Sequence, residues 1–289
     1  MKEKIGFIGL GIMGKPMARN LVHAGYTLYV FSSGAASVRE LEKEGAISAS
    51  SPKKIAELSD IIITMLPDSP QVKEVAFGND GLIEGLSKGK LFIDMSTIDA
   101  ATEIEIHERF AAIGVDTLDA PVSGGDVGAK AGSLSIMAGG SKNAFNRALP
   151  LFQILGKRIN HIGATGAGQI AKSCNQIATA LATQGVIEAF SLAASAGIDL
   201  ARLKEVLSGG FADSRTLAVS GERMIKRDFS PGFKLKLYTK DLRIAKQAAA
   251  ERSVNLPGTQ LLHNEMQQLV SEGKGELDFS ALIHLFENN

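Results

Sequence analysis

The sequence predicts an α/β fold in two parts: an N-terminal doubly wound parallel sheet, then a C-terminal all-helical domain. Three observations lead there. Apolar runs alternate with helical patterns through the first half. A glycine-rich turn, G-x-G-x-x-G, stands directly after the first of those runs. Beyond about residue 161 the strand-like runs stop and alanine-rich helical pattern takes over.

Taken in order, residues 4–8 read as a buried strand and residues 12–23 as a helix stopped by Gly25. Residues 27–31 form a second strand. Residues 60–66 form a third, rich in isoleucine and ended by Pro67. Residues 91–95 and 115–118 follow, with a helix over 100–113 between them. Residues 133–138 end at Gly139 and Gly140. Strand, helix, strand repetition implies parallel strands with helices on both faces. Residues 168–196 read as one helix too apolar to be solvated all round. Further helical pattern breaks at Gly209-Gly210 and Ser230-Pro231-Gly232. The glycine-rich turn of Gly163, Gly166 and Gly168 sets the division: residues 1–163 form the α/β domain and residues 164–289 the all-helical domain.

Bulk composition narrows the function. Lys+Arg and Asp+Glu both number 31, so no basic excess points to a nucleic-acid partner. The single cysteine, Cys174, cannot make an internal disulfide and is expected to be a core thiol. The five histidines are scattered without ligand spacing, so no metal is expected. The N-terminal apolar stretch is broken by glycines and lacks a cleavage site. The uncharged stretch 177–187 carries Thr and Gln and falls short of the ~20 residues that span a bilayer. A soluble, cytoplasmic protein without a membrane partner is expected.

Gly9-Leu10-Gly11-Ile12-Met13-Gly14 has the spacing of a dinucleotide-binding turn in a Rossmann βαβ unit. Gly9 permits the tight turn, Gly11 lets backbone approach a pyrophosphate, and Gly14 lets the helix pack closely on the strand. The helix N-terminus offers N–H groups and a positive dipole end to the phosphates. About 20 residues on, an acidic side chain usually holds the adenosine ribose. Here the chain reads Phe31-Ser32-Ser33-Gly34, with no carboxylate. Two readings stand open: the serines bind a ribose 2′ substituent, or they start a turn. With no acid to repel a phosphate, and Arg39 further on, the cofactor is expected to be NAD(P) with a slight lean to NADPH.

The run from Phe7 through Leu21 resembles the signature of the β-hydroxyacid dehydrogenases, the family of 3-hydroxyisobutyrate dehydrogenase. Met65-Leu66-Pro67, Asp94-Met95-Ser96-Thr97, Asp119 through Gly125, Gly168 through Asn175, and Lys240-Asp241-Leu242 resemble its later motifs in the same order. The resemblance implies hydride transfer between a nicotinamide and a small β-hydroxy or semialdehyde acid. It implies cofactor contacts from Gly9, Leu10, Gly11, Ile12, Met13, Gly14, Ser32, Met65, Leu66, Pro67, Thr97 and Lys240. It implies substrate contacts from Ser123, Gly124, Gly125 and Asn175, and Lys172 as the catalytic residue. It also implies a homo-oligomer, dimer or tetramer, with the long helix in the subunit contact.

Residues 61–67 and 228–233 look most like the tartronate semialdehyde (2-hydroxy-3-oxopropionate) reductase branch. Asp126-Val127-Gly128-Ala129 resembles the 3-hydroxyisobutyrate branch. Activity on glyoxylate or succinic semialdehyde is a further alternative. Gln176 stands where a second asparagine is common, and Ser32 replaces a frequent Asp or Asn-Arg.

Reducing an aldehyde requires a proton donor for the developing alkoxide. On spacing alone, Lys172 reads as a lysine that snorkels to solvent and Asn175 as a surface amide; the resemblance reverses that. Burial and a neighbouring cation such as Lys240 would lower the lysine's pKa toward the working pH. Ser123-Gly124-Gly125 is either a nest for a substrate carboxylate or a plain strand-ending turn. A non-catalytic dinucleotide-binding protein is the rival reading; retention of Lys172 argues against it.

Overall fold

The computed structural model describes residues 2–287. Two compact units divide the chain, the first ending at Lys172 and the second beginning at Ser173. In chain order the first unit carries β1 (Ile5–Ile8), α1 (Gly14–His23), β2 (Leu28–Phe31), α2 (Ala35–Glu42), β3 (Ile47–Ser48), α3 (Pro52–Leu58), β4 (Ile61–Thr64) and α4 (Ser69–Phe77). There follow β5 (Leu91–Asp94), α5 (Ala100–Ala111), β6 (Asp116–Asp119), β7 (Val122–Ser123), α6 (Gly125–Lys130), β8 (Leu134–Gly140), α7 (Lys142–Leu155) and β9 (Gly156–Gly163). Helix α8 (Ala167–Ser195) begins in this unit and continues into the next.

The sheet runs β3-β2-β1-β4-β5-β6-β8, so the winding reverses between β1 and β4. That reversal leaves a crevice at the carboxyl ends of the strands, where α/β sheets bind ligands. The register pairs Ile8 with both Phe31 and Thr64, Thr64 with Asp94, and Asp94 with Asp119. Five strands therefore end level, and the loops leaving them emerge side by side.

The apolar strand sequences follow from burial on both faces. Ile61 and Ile63 pack into the core formed with α1, α6 and α7, and Ile62 into the core formed with α3, α4 and α5. Helix starts follow their capping residues: Ser51, Asp68, Asp99 and Ser141 each accept a backbone N–H at the head of α3, α4, α5 and α7.

The expectation of parallel strands holds through β6 and fails at β8, which is antiparallel to β6 and β7. Pairs Leu118–Gly140, Asp119–Gly139, Val122–Ile136 and Ser123–Ser135 keep one register. So β6 and β7 are one strand interrupted at Ala120-Pro121, where proline has no N–H for the ladder. Residues 124–133 return the chain as in a long hairpin. Three strands escape the sequence reading: β3 and β7, each two residues long, and β9, parallel to β8.

The second unit holds the rest of α8, then α9 (Leu200–Ser208), α10 (Glu222–Lys226), α11 (Leu235–Ala250) and α12 (Pro257–Leu269). Among the described residues it is helical apart from one bridge, Lys234 to Asp278. Phe190, Leu217, Leu235, Leu242, Met266 and Leu282 lie in its own core.

Helix α8 matches the long helix expected over residues 168–196 and corrects one expectation, that of Cys174. Among the described residues it is the one helix long and apolar enough to cross a membrane by length and composition. Yet Gln169, Lys172, Gln176, Thr183 and Gln184 are buried along it, polar groups that mark a helix packed in protein. Cys174 is exposed, not a core thiol. Its neighbours Lys172, Ser173 and Gln176 take the buried positions; on so uniformly apolar a helix the sequence gives little sign of which side faces inward.

Candidate active site

The glycine-rich turn leaves β1 at the crevice. Gly9 has φ +97°, and a Cβ there would sit 2.3 Å from Met65 O. A Cβ on Gly14 would sit 1.9 Å from Gly9 O, so the third glycine is what lets α1 start against the turn. At Gly11 an added Cβ would meet nothing within 4 Å. The position opens outward, as a backbone that admits a pyrophosphate must. Leu10 is buried, Ile12 exposed, and Met13 packs on the core. Helix α1 has no acidic residue in its first turn and no side-chain cap, which leaves its dipole end available to an anion.

Ser32 ends β2 beside this turn. Its Oγ accepts long bonds from the N–H groups of Leu10 and Gly34, both at 3.4 Å. Helix α2 starts at Ala35, which puts exposed Arg39 in its second turn. Met65, Leu66 and Pro67 leave β4 alongside: Met65 N–H donates to Ile8 O at 2.9 Å and Leu66 N–H to Ser96 Oγ at 2.8 Å. Thr97 is half-buried on the next loop, between Ser96 and Ile98. The turn, Ser32, the 65–67 loop and Thr97 thus come together at the level strand ends of one unit.

Ser123, Gly124 and Gly125 join β7 to α6. Both glycines have positive φ, +132° and +62°, and nothing lies within 4 Å of a Cβ on Gly125. Consecutive left-handed glycines turn backbone N–H groups outward, as an anion nest requires.

Lys172 is only 6% exposed, which removes the reading of a lysine snorkelling to solvent. The first turn of α8 is bolted to the sheet by Asp119. Its two carboxylate oxygens accept the N–H groups of Gly166 at 2.8 Å and Gln169 at 2.9 Å. Burial pushes Asp119 up to about 6, against the lowering effect of those backbone bonds. Close approach needs a glycine at 168: a Cβ there would lie 2.4 Å from Met137 O and 2.6 Å from Asp119 O. The Gln169 side chain accepts from Ile98 N–H at 3.2 Å and donates to Ser96 O at 3.0 Å and Glu103 Oε1 at 2.9 Å.

Within the second unit, Asn175 Nδ2 donates to Gln176 Oε1 at 2.8 Å, and Gln176 Nε2 donates to Asp241 Oδ2 at 2.6 Å. Lys240 Nζ lies 3.0 Å from Asp241 Oδ1. Gln176, a departure from the family pattern, is thus the bridge between Asn175 and the Lys240-Asp241 pair.

Asp94, Glu103, Asp119 and Gln169 have no place among the sequence-predicted site residues, although three of them sit in quoted motifs. For Glu103 a signal existed. It falls in phase with Ile106 and Phe110, three and seven residues on, the buried stripe of α5.

A reversing parallel sheet, a glycine turn at its switch point and a buried lysine on the following long helix define a nicotinamide-dinucleotide oxidoreductase. The comparisons agree. Residues 4–163 match the family described as the NAD binding domain of 6-phosphogluconate dehydrogenase, and residues 166–286 the NAD-binding domain of NADP-dependent 3-hydroxyisobutyrate dehydrogenase. The chain is 47% identical to 2-hydroxy-3-oxopropionate reductase of Escherichia coli, over 98% of this chain and 97% of that one. It is 37% identical to NAD-dependent L-serine dehydrogenase of Pseudomonas aeruginosa, over 99% and 98%. The structure of Mycobacterium tuberculosis 3-hydroxyisobutyrate dehydrogenase with L-serine superposes with a TM-score of 0.92 at 32% identity, each chain covered completely. This chain belongs to the β-hydroxyacid dehydrogenase family typified by 3-hydroxyisobutyrate dehydrogenase, and is an NAD(P)-dependent oxidoreductase.

Proposed function

We propose that the protein reduces tartronate semialdehyde (2-hydroxy-3-oxopropionate) to the corresponding hydroxy acid. The observation that carries this reading is the 47% identity to the Escherichia coli reductase across nearly the whole of both chains. When bound, the nicotinamide supplies the hydride. The rest falls to the chain's own residues. Gly9 through Gly14 and the head of α1 hold the pyrophosphate, with Met65, Leu66, Pro67 and Thr97 alongside and Lys240 as a further cofactor contact. Ser123, Gly124 and Gly125 take the substrate carboxylate, Asn175 its hydroxyl, and Lys172 Nζ gives the proton to the carbonyl oxygen. Residues 1–163 serve as the nucleotide-binding domain and 164–289 as the substrate and oligomerisation domain of a cytoplasmic homo-oligomer.

Ser32 leaves the cofactor choice balanced. No carboxylate repels a 2′-phosphate, and no arginine ends β2 to clamp one. Use of both cofactors with a modest lean to NADPH follows. The relatives' names point both ways, one NADP-dependent and one NAD-dependent. A second substrate reading, oxidation of 3-hydroxyisobutyrate or a similar three-carbon hydroxy acid, is supported by the L-serine dehydrogenase likeness and by Asp126-Val127-Gly128-Ala129.

One assay decides between them. Tartronate semialdehyde, 3-hydroxyisobutyrate, L-serine, glyoxylate and succinic semialdehyde are compared by kcat/KM, followed through NAD(P)H absorbance. Tartronate semialdehyde is expected to lead by at least about tenfold, a difference of about 1.4 kcal/mol in transition-state binding. A lead by any other acid overturns the assignment.

A further inference from the structure

We propose that Glu103 is held as a neutral acid that donates its proton to Asp94 Oδ2, and that this shared proton positions the loops and helix start around the nicotinamide. The positioning half rests on the oxidoreductase reading given above; the proton itself does not.

Asp94 ends β5 and is fully buried. Its Oδ1 is saturated: it accepts from Thr64 Oγ1 at 2.6 Å, Ser96 Oγ at 2.6 Å and Ser96 N–H at 3.2 Å. Its Oδ2 is equally buried yet receives no N–H or hydroxyl donor among the described residues. A buried carboxylate oxygen left bare is costly. The group within hydrogen-bond reach of Asp94 is the Glu103 carboxyl from α5, itself only 3% exposed. Two ionised carboxylates in dry contact would repel each other as well as carry the cost of burial. One proton between them removes the repulsion and gives Oδ2 its donor.

The proton belongs on Glu103. Among the described residues, three donors stabilise charge on Asp94, whereas Glu103 accepts a single bond, from Gln169 Nε2 at 2.9 Å. The titratable groups facing Glu103 are Asp94 on β5 and Asp119 on β6, both acidic, and α8 presents the neutral Gln169. Burial and those two neighbours hold the Glu103 carboxyl well above the usual carboxylate range.

The pair is the hub of the site's scaffolding. Ser96 donates to Asp94 while accepting from Leu66, which fixes the 65–67 loop. Gln169, anchored on Glu103, pins Ser96 O and Ile98 N–H on either side of Thr97. Lys172 follows Gln169 by one helical turn. Glu103 touches neither substrate nor cofactor in this arrangement; it is a positioning residue.

The test compares Glu103→Gln with Glu103→Leu. The amide keeps both bonds, its oxygen accepting from Gln169 and its NH2 donating to Asp94. Glu103→Gln is therefore expected to keep kcat and cofactor KM within about twofold, while Glu103→Leu loses at least about tenfold in kcat/KM. Folding takes up a proton at Glu103, because its folded pKa lies above its unfolded value of about 4.3. Its stabilising contribution is complete below that value and declines as pH rises toward the folded pKa. The Tm of Glu103→Gln minus that of wild type should thus rise steadily with pH. The infrared carbonyl band of a protonated carboxylic acid should be present in wild type at neutral pH and missing in Glu103→Gln. A Tm difference that is flat or falls with pH, a band unchanged by the substitution, or a Glu103→Gln chain that fails to fold overturns the shared proton. Normal kinetics in Glu103→Leu overturns the positioning role. Failure of the oxidoreductase reading looks different: wild type turns over no acid while the Tm and infrared results stand.

Discussion

Gly168→Ala isolates the docking of α8 from every group that touches a ligand. The added Cβ would lie 2.4 Å from Met137 O, 2.6 Å from Asp119 O and 2.8 Å from Asp119 Oδ2. Two of the three are backbone atoms of neighbouring strands, which have little room to yield. Ordinary contact begins near 3.4 Å, so the helix start must retreat by about 1 Å. Overpacking of this kind costs about 1–3 kcal/mol. The retreat also stretches the Asp119 bonds to Gly166 and Gln169, now 2.8 and 2.9 Å. For a chain of this size the Tm should fall by ~2–10 °C. Lys172 lies one turn beyond the displaced residue, and misplacement by about 1 Å can cost ~100-fold in rate. The expected pattern is a kcat loss out of proportion to any change in cofactor affinity, measured by steady-state kinetics and by calorimetric NAD(P)H binding, with Tm by scanning calorimetry. Wild-type Tm together with wild-type kcat would refute the reasoning that this contact sets the lysine.

Three other outcomes are expected. Lys172→Ala should lower kcat by ~10²–10⁴ with cofactor binding retained, because a positioned proton donor contributes about that much; near-normal turnover would remove the lysine from the chemistry. Gly11→Val should fold with normal Tm, since its Cβ direction is open, and lose cofactor affinity in calorimetry; undiminished binding would count against the turn as the pyrophosphate site. Ser32→Asp should swing the ratio of kcat/KM toward NADH by repelling a 2′-phosphate, and an unmoved ratio would show that Ser32 does not read the ribose.

What could be read from the sequence tracks how strongly burial constrains each segment. Ile5–Ile8 and Ile61–Thr64 are covered on both faces, so they appear as unbroken apolar runs. The glycine turn was legible because of its spacing directly after a strand: Gly9 and Gly14 each meet a backbone requirement no other residue satisfies, while Gly11 stays open for a ligand. Strand β9 was not, because its exposed face carries Lys157 and Arg158 and blurs the apolar pattern. Strand direction is invisible to periodicity, so the antiparallel return at β8 could not be foreseen. The Asp94-Glu103-Gln169 network was hidden for a related reason. A glutamate in an amphipathic helix reads as solvated unless its phase is checked against the apolar stripe, and its partners lie far off in sequence.

The two ends of the sheet bear on how the chain avoids its own kind. A sheet offers unpaired N–H and C=O groups along its outermost strands, and another chain can extend it there. One boundary here is β3, with only two residues to pair. The other is β9, eight residues long, where Lys157 and Arg158 stand exposed beside the free ladder. Brevity guards one side and positive charge the other. A protein whose central strands are rich in isoleucine, leucine and phenylalanine is thereby expected to keep that β-forming tendency enclosed, the same edges that obscured the sequence reading working against strand-to-strand aggregation.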